Sequence, residues 1–167
     1  MAQTQMVEEL VLELVKQVVA ALQALLNSDR RFEGVTAGVE WPNVEKDLPL
    51  QAPLVTLAEV TTTEESALMG DVAGDDGAKA RTFTATYYLD VWTSRGRPDM
   101  PRVRAGGQVV ARRIAGLLAR KVNGGTSVPE FLESWKMYGS RAVDYQPEWD
   151  LIQLRQTLEV TGAVETD

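Results

Sequence analysis

The clearest pattern in the chain is an alternation of side chains from Arg81 to Thr93. Its apolar members share one side, namely Phe83, Ala85, Tyr87, Leu89 and Val91. Threonines share the other side with Tyr88, Asp90 and Trp92. This period of two, with β-branched and aromatic content, predicts a β-strand. Because Tyr88 and Trp92 are large, we expect a helix, a loop or another subunit to cover part of the second face.

Two segments have the three-and-four spacing of amphipathic helices. The first spans about Gln5–Leu26, and its apolar stripe contains Met6, Leu10, Leu14, Val18, Leu22 and Leu25. Val7, Val11 and Val15 widen this stripe, which favours a core helix and leaves room for an added subunit contact. The second runs from near Asp99 to Val122 and ends at a strong Asn-Gly-Gly stop. Its stripe contains Val103, Gly107, Val110, Ile114, Leu117 and Leu118.

Four further strands and one long loop complete the prediction. The strands are Val35–Trp41, Pro53–Thr63, Ser134–Tyr145 and Trp149–Val164, and in the last of them Ile152, Leu154, Leu158 and Val160 share a face. Glu64–Ala80 is predicted to be a loop, flexible over about residues 66–80, because it is rich in Gly and Asp. This order predicts a single α+β domain over residues 1–167. Two main helices should pack on one face of a mostly antiparallel sheet.

Composition narrows the chemistry that the chain can perform. Its 167 residues include no cysteine and no histidine, which removes disulfides, thiolate chemistry, and the commonest general base and metal ligand. The net charge of -7 argues against a simple nucleic-acid clamp. The apolar stretch Val7–Leu26 carries Glu8, Glu9, Glu13 and Lys16, so we expect neither a signal peptide nor a membrane span.

No motif in the sequence assembles a catalytic or metal site. Asp71, Asp75 and Asp76 are interleaved with glycines, but their spacing does not match a calcium loop, which favours a solvated loop. The pairs Glu8-Glu9 and Glu64-Glu65 are adjacent in sequence, so their side chains diverge. Nucleophile-elbow, phosphate-loop and dinucleotide-binding motifs are absent. We therefore expect no catalytic residues, no cofactor and no metal, and a protein that is not an enzyme.

The second helix is the main charged feature. From Arg102 to Lys121 the chain has six basic residues and no acidic one. At about 100° per residue, Arg102, Arg113 and Arg120 fall on one flank, with Arg112 beyond them. Three interpretations stay open: a solvated basic face, pairing with an acidic surface of a neighbouring subunit, and contact with DNA phosphates. The candidate subunit interface comprises Arg102, Arg113, Arg120, Tyr88 and Trp92.

The order of elements resembles the small tail terminator and head-tail joining proteins of tailed bacteriophages. The resemblance is carried by the long helix Met6–Leu26, the strand at Pro53–Leu57, Tyr87–Trp92, the helix at Val109–Leu118 and the C-terminal hairpin. It implies a ring, usually hexameric, that caps the tail tube and joins it to the head-neck complex, with no catalytic residues.

The same resemblance implies the partners and the location. The partners would be further copies of the chain, a tail tube protein and a neck or connector protein, with double-stranded DNA passing transiently and no membrane contact. The location would be the tail-neck junction of the virion, after assembly in the host cytoplasm. The loop with Asp71, Asp75 and Asp76 is longer than the fold requires. We expect it at the ring's channel, where it would repel passing DNA, or at the junction with a partner.

Two other functions are compatible with the sequence. One is a monomeric binding or assembly-chaperone module with an open sheet face. The other is a small hydrolase or nuclease that uses carboxylates, which is disfavoured by the lack of any motif. Solution mass separates a ring from a monomeric module.

Overall fold

The computed structural model describes residues 2–42, 50, 52–66, 79–94, 101–125, 127–146 and 151–166. In chain order the elements are α1 (Ala2–Asn27), a 3-10 turn (Arg30–Phe32), β1 (Thr36–Gly38), β2 (Leu54–Ser66), β3 (Lys79–Ser94), α2 (Pro101–Asn123), β4 (Ser134–Gln146) and β5 (Leu151–Thr166). The helices and strands predicted from the sequence are therefore present in the predicted order.

The strands form one five-stranded sheet in the order β1-β2-β3-β5-β4. The short β1 runs parallel to β2, and every other neighbouring pair is antiparallel. Helix α1 packs on β1 and β2, and helix α2 packs on β3, β5 and β4. The predicted α+β class, with two helices against a mostly antiparallel sheet, is confirmed.

The core lies between the two helices and one face of the sheet. The predicted inward residues of β3 are all buried, namely Phe83, Ala85, Tyr87, Leu89 and Val91. The four apolar residues predicted to share a face of β5 are buried as well. From α1, Leu14, Val18 and Leu22 are buried as predicted, and Leu26 joins them. The flanking Val11 and Val15 are half-buried.

The predicted stripe of α2 is correct only in part. Ile114, Leu117 and Leu118 are buried, but Val110 is 40% exposed. The buried arc also contains Ala111, Ala115, Ala119 and Val122. Alanine is small enough to let a helix approach a sheet closely, so the side of α2 that contacts the sheet is rich in alanine. A prediction from hydrophobicity alone favours valine over alanine for this side.

The hairpin that joins β2 to β3 is longer than the sequence predicts. Ser66 pairs with Arg81, and Lys79 pairs with Thr166 on β5, so Glu64–Ser66 and 79–80 are strand and not loop. These residues show no apolar alternation, but their backbone groups extend the hydrogen-bonded pairing with neighbouring strands. The remainder of the predicted loop, with Asp71, Asp75 and Asp76, lies outside the described residues. At one edge of the sheet, β1 is shorter than the predicted strand Val35–Trp41, so Trp41 lies after the end of β1.

Glycine is required at one position of the central ladder. Gly162 on β5 pairs directly with Phe83 on β3. A Cβ at Gly162 would lie 2.6 Å from Cζ of Phe83 and 3.1 Å from the carbonyl oxygen of Phe131. The Phe83 ring therefore packs over the backbone of its cross-strand partner, where any larger residue would displace it.

Both outer strands of the sheet receive an amide side chain from a helix. On β1, Ala37 N–H donates to Oε1 of Gln23 at 2.8 Å, and Nε2 of Gln23 donates to the Val35 carbonyl at 3.5 Å. On β4, Met137 N–H donates to Oδ1 of Asn123 at 2.9 Å, and Nδ2 of Asn123 donates to the Met137 carbonyl at 3.0 Å. These bonds occupy backbone groups that an edge strand otherwise offers to another chain. They also tie each helix to the edge beneath it.

We expect Leu89→Ala to lower the free energy of unfolding by about 2–5 kcal/mol, because it removes a fully buried side chain and leaves a cavity under the helices. Val39→Ala is the matched control, since Val39 is 51% exposed, and it should change stability by less than about 0.5 kcal/mol. Denaturant melts measure both values. Equal effects of the two substitutions would show that the inward face of β3 is assigned wrongly.

Amide hydrogen exchange tests the two edge contacts separately. Asn123→Ala should raise the exchange rate of the Met137 amide roughly fivefold or more, because that N–H loses its acceptor. The Ala37 amide should keep its protection in this variant. Gln23→Ala should have the opposite effect, exposing Ala37 and sparing Met137. Unchanged exchange at Met137 in the Asn123 variant would contradict the proposed protection of this edge.

Candidate interaction surfaces

The second face of the sheet, opposite the helices, has a regular layout. One row across β2, β3, β5 and β4 contains Thr56, Asp90, Arg155 and Ala142. The next row contains Ala58, Tyr88, Thr157 and Tyr138. Paired residues of neighbouring strands lie on the same side and within contact distance. The register therefore places Asp90 beside Arg155, and Tyr88 in the row next to this pair.

The centre of this face is an ion pair between Asp90 and Arg155. Nε of Arg155 donates to Oδ1 of Asp90 at 2.9 Å, and an outer guanidinium nitrogen donates to Oδ2 at 3.1 Å. Asp90 is fully buried, whereas 37% of the Arg155 side chain is exposed. The guanidinium carbon also lies 4.1 Å from the centroid of the Tyr88 ring. The hydrogen bonds that Arg155 donates to Asp90 raise the pKa of Arg155, and its guanidinium group makes a cation–π contact with the Tyr88 ring.

Trp92 is covered within the subunit. It is only 3% exposed, and its indole N–H donates to the Thr56 hydroxyl at 2.7 Å. The ring of Trp41, which follows β1, lies 5.7 Å from that of Trp92 between centroids, with a tilt of 50°. Part of the second face is therefore covered, as expected, and Trp41 contributes to the cover. Of the two predicted interface aromatics, Trp92 offers little surface to a neighbour, and Tyr88 is 37% exposed.

The side of this face on β4 and β5 is polar and open to solvent. The Tyr138 hydroxyl donates to Glu159 at 3.3 Å, and Lys136 lies 3.9 Å from the same carboxylate. The ammonium of Lys136 is also 5.3 Å from the Tyr138 ring centroid. Burial and Glu159 raise the pKa of Tyr138. These groups partner one another, so this area has little net charge to attract an ionic ligand.

The outer side of α2 combines arginines with exposed valines. Arg112, Arg113 and Arg120 are exposed, and none of them takes part in an ion pair with another described residue. Val109 is 62% exposed and Val110 is 40% exposed. We refer to these five residues as the α2 arginine surface. The structure thus places Arg113 and Arg120 together on the solvent side, as predicted. Arg102 lies in the same helix, but its side chain is outside the described part of the chain.

A second charged cluster, which the sequence interpretation missed, joins the two helices. Asp29, just after α1, forms ion pairs with Arg31 at 2.7 Å and with Lys121 in the last turn of α2 at 3.2 Å. Hydrogen bonds from Arg31, and further from Lys121, lower the pKa of Asp29 well below its usual range. An open cleft next to Asp29 is bordered by Leu26 and Phe32. The only local signal for this cluster is the pair Arg30-Arg31 that follows Asp29, because Lys121 is remote in sequence.

Several other features of the described residues bear on chemistry. No group of three or more Asp, Glu, His or Cys side chains among them could hold a metal ion. None of the helices in that part of the chain is long and apolar enough to span a membrane. The Tyr87 hydroxyl and the Trp135 indole nitrogen are buried and have no hydrogen-bond partner there. Burial, and more weakly Glu59, raises the pKa of Tyr87 and keeps its hydroxyl protonated.

The chain was compared with protein-family models and with curated proteins. No protein-family model matches the chain, and no curated protein matches it either. The resemblance to tail terminator and head-tail joining proteins is therefore carried by the order of elements alone.

Arg155→Met should lower the free energy of unfolding by about 2–4 kcal/mol, because it leaves the buried Asp90 carboxylate without its partner. Lys136→Met is the control, since that side chain is 63% exposed and its ion pair is screened, and it should cost less than about 1 kcal/mol. Denaturant melts in low and high salt measure both effects. An Arg155→Met variant as stable as the wild type would show that Asp90 finds other partners or is accessible to water.

Proposed function

We propose that this chain is a structural subunit of a homo-oligomeric ring that caps a phage tail tube and joins it to the head-neck complex. The observation that carries the proposal is the α2 arginine surface. Exposed arginines that have no ion-pair partner among the described residues lie there beside exposed valines, on a chain whose net charge is -7. Arginine together with apolar side chains is typical of protein interfaces, where lysine is depleted.

The composition of this surface favours a protein partner over solvent. A neighbouring protein surface that covers Val109 and Val110 removes their apolar area from water, which is favourable. The planar guanidinium groups of Arg112, Arg113 and Arg120 can each bind a carboxylate with two parallel hydrogen bonds. On a face exposed only to solvent, lysine would serve as well as arginine, and the two valines would have no favourable contact.

A basic surface cannot pair with an identical copy of itself, because like charges placed together are unfavourable. A contact between copies must therefore join the α2 arginine surface to a different, acidic surface. When the two surfaces meet two different neighbours, the contact is heterologous, and it closes into a ring when the rotation between subunits permits. This is the type of assembly that the resemblance implies, with a tube protein and a neck or connector protein at its two ends and DNA passing through.

A monomeric binding or assembly-chaperone module is the second candidate. It is favoured by the open part of the second sheet face, where Tyr88 is 37% exposed and Tyr138 is 44% exposed. The hydrolase alternative finds no support in the described residues. Asp90 is fully buried, and both of its carboxylate oxygens accept hydrogen bonds from Arg155, so it is not free to act on a substrate.

Light scattering at several concentrations, combined with electron microscopy, tests the proposed function. We expect a species several times heavier than the 18.4 kDa subunit, seen as closed rings, or rings that form when tail tubes are added. The rings should bind at tube ends. A protein that stays at 18.4 kDa at every concentration and leaves tube ends bare would contradict the proposal and favour the monomeric module.

A further inference from the structure

We propose that the α2 arginine surface of one subunit packs against the outer side of helix α1 of the next. This inference rests on the proposed function, because it names the partner surface within the ring. Helix α1 exposes Glu13 together with Leu12, which is 63% exposed. The contact would thus join two different helices of two copies.

The charges of the two helices are opposite. α2 contains six basic residues and no acidic one, whereas α1 contains Glu8, Glu9 and Glu13 against Lys16 alone. The acidic residues lie in the first half of α1, before Lys16. Opposite charges on two surfaces steer association and fix which surfaces meet, whereas two α2 surfaces or two α1 surfaces would repel. The charge pattern therefore favours a contact between α1 and α2 over a contact between two copies of the same helix.

Each of the two helices also has a strongly exposed aliphatic side chain. Leu12 on α1 and Val109 on α2 are the most exposed large aliphatic residues among those whose side chains the structure describes, at 63% and 62%. Each lies beside charged residues of its own helix, and each leaves water when the two helices meet. Acidic Glu59 on β2 also lies beside an exposed aliphatic residue, but Val60 there is only 39% exposed and stands on a bulged strand.

The fold leaves both helices accessible at the same time. α1 packs on β1 and β2, and α2 packs on β3, β5 and β4. Because the two helices cover different strands, one neighbour can occupy α1 while another occupies α2. A subunit with two separate and complementary surfaces can continue the contact from copy to copy, which a ring requires.

Charge reversals on both helices test the inference. Arg113→Glu and Glu13→Lys should each weaken assembly roughly tenfold or more, because each places like charges together at the contact. Arg30→Glu, in the 3-10 turn after α1, and Glu59→Lys, on β2, reverse exposed charges that lie outside the two helices, and they should leave assembly nearly unchanged. Thermal melts and circular dichroism of each variant verify that the subunits remain folded.

Mixing the two assembly-defective variants gives the sharpest result. In a head-to-tail ring, the Glu13→Lys subunit can pair with the Arg113→Glu subunit through both contacts, so an equimolar mixture should assemble again as alternating copies. The double variant, with both reversals in one chain, should also assemble. A symmetric α2–α2 contact predicts instead that Glu13→Lys alone assembles normally and that the double variant stays defective, because both of its α2 surfaces carry the same reversed charge. Either of these results would overturn the inference.

The remaining outcomes separate this inference from the proposed function. Wild-type rings together with single variants that assemble normally would overturn the α1–α2 contact and leave the ring in place. A wild-type protein that is monomeric both alone and on tail tubes would overturn both. If Arg113→Glu abolishes binding to double-stranded DNA but leaves the rings intact, the arginines contact phosphate, and the proposed contact is again wrong.

Discussion

Strand β3 is buried on both of its faces from Leu89 to Thr93, and the rest of the molecule is arranged around this constraint. Toward the helices, Leu89 and Val91 are completely buried in the apolar core. On the opposite face, Asp90 and Trp92 are buried as well, although their polar atoms need partners there. Arg155 and Thr56 supply those partners by hydrogen bonds. The central strand therefore uses hydrophobic packing on one face and paired polar groups on the other.

This arrangement determines which surfaces remain for assembly. Both helices place their apolar stripes on the same face of the sheet, and their amide side chains occupy backbone groups of the outer strands. The centre of the opposite face is closed by the Asp90–Arg155 pair and by the tilted ring of Trp41, which lies against Trp92. The outer sides of α1 and α2 keep exposed aliphatic residues, and the two helices differ in the sign of their net charge. For this reason the proposed contacts lie on the helices and not on the sheet.

The fold could be predicted from the sequence because its signals are local. The alternation around Leu89 and the helical spacing of Leu14, Val18 and Leu22 depend only on the period of each element, and the structure has these residues buried. The length of the β2–β3 hairpin was underestimated, since polar strand ends such as Glu64–Ser66 are held by neighbouring strands and have no apolar pattern of their own. Val110 is exposed, contrary to the prediction, because small alanines form much of the buried side of α2.

The candidate site could be predicted only where it depends on one helix. The flank with Arg113 and Arg120 follows from 100° per residue, and both side chains are exposed. The Asp90–Arg155 pair and the Asp29–Lys121 pair join residues far apart in sequence, so they depend on strand register and helix placement. Neither can be read from spacing along the chain. The burial of Trp92 likewise depends on Trp41, which reaches it from beyond a different strand.

Disulfide cross-linking tests the head-to-tail contact most directly, because the chain has no cysteine of its own. Leu12→Cys and Val109→Cys, combined in one chain and oxidised, should link successive subunits into a ladder that ends in a covalent closed ring. Each single substitution should give no cross-link, since in this arrangement Leu12 faces Val109 and never another copy of itself. Covalent dimers from either single variant, or no ladder from the double variant when rings are present, would contradict the account.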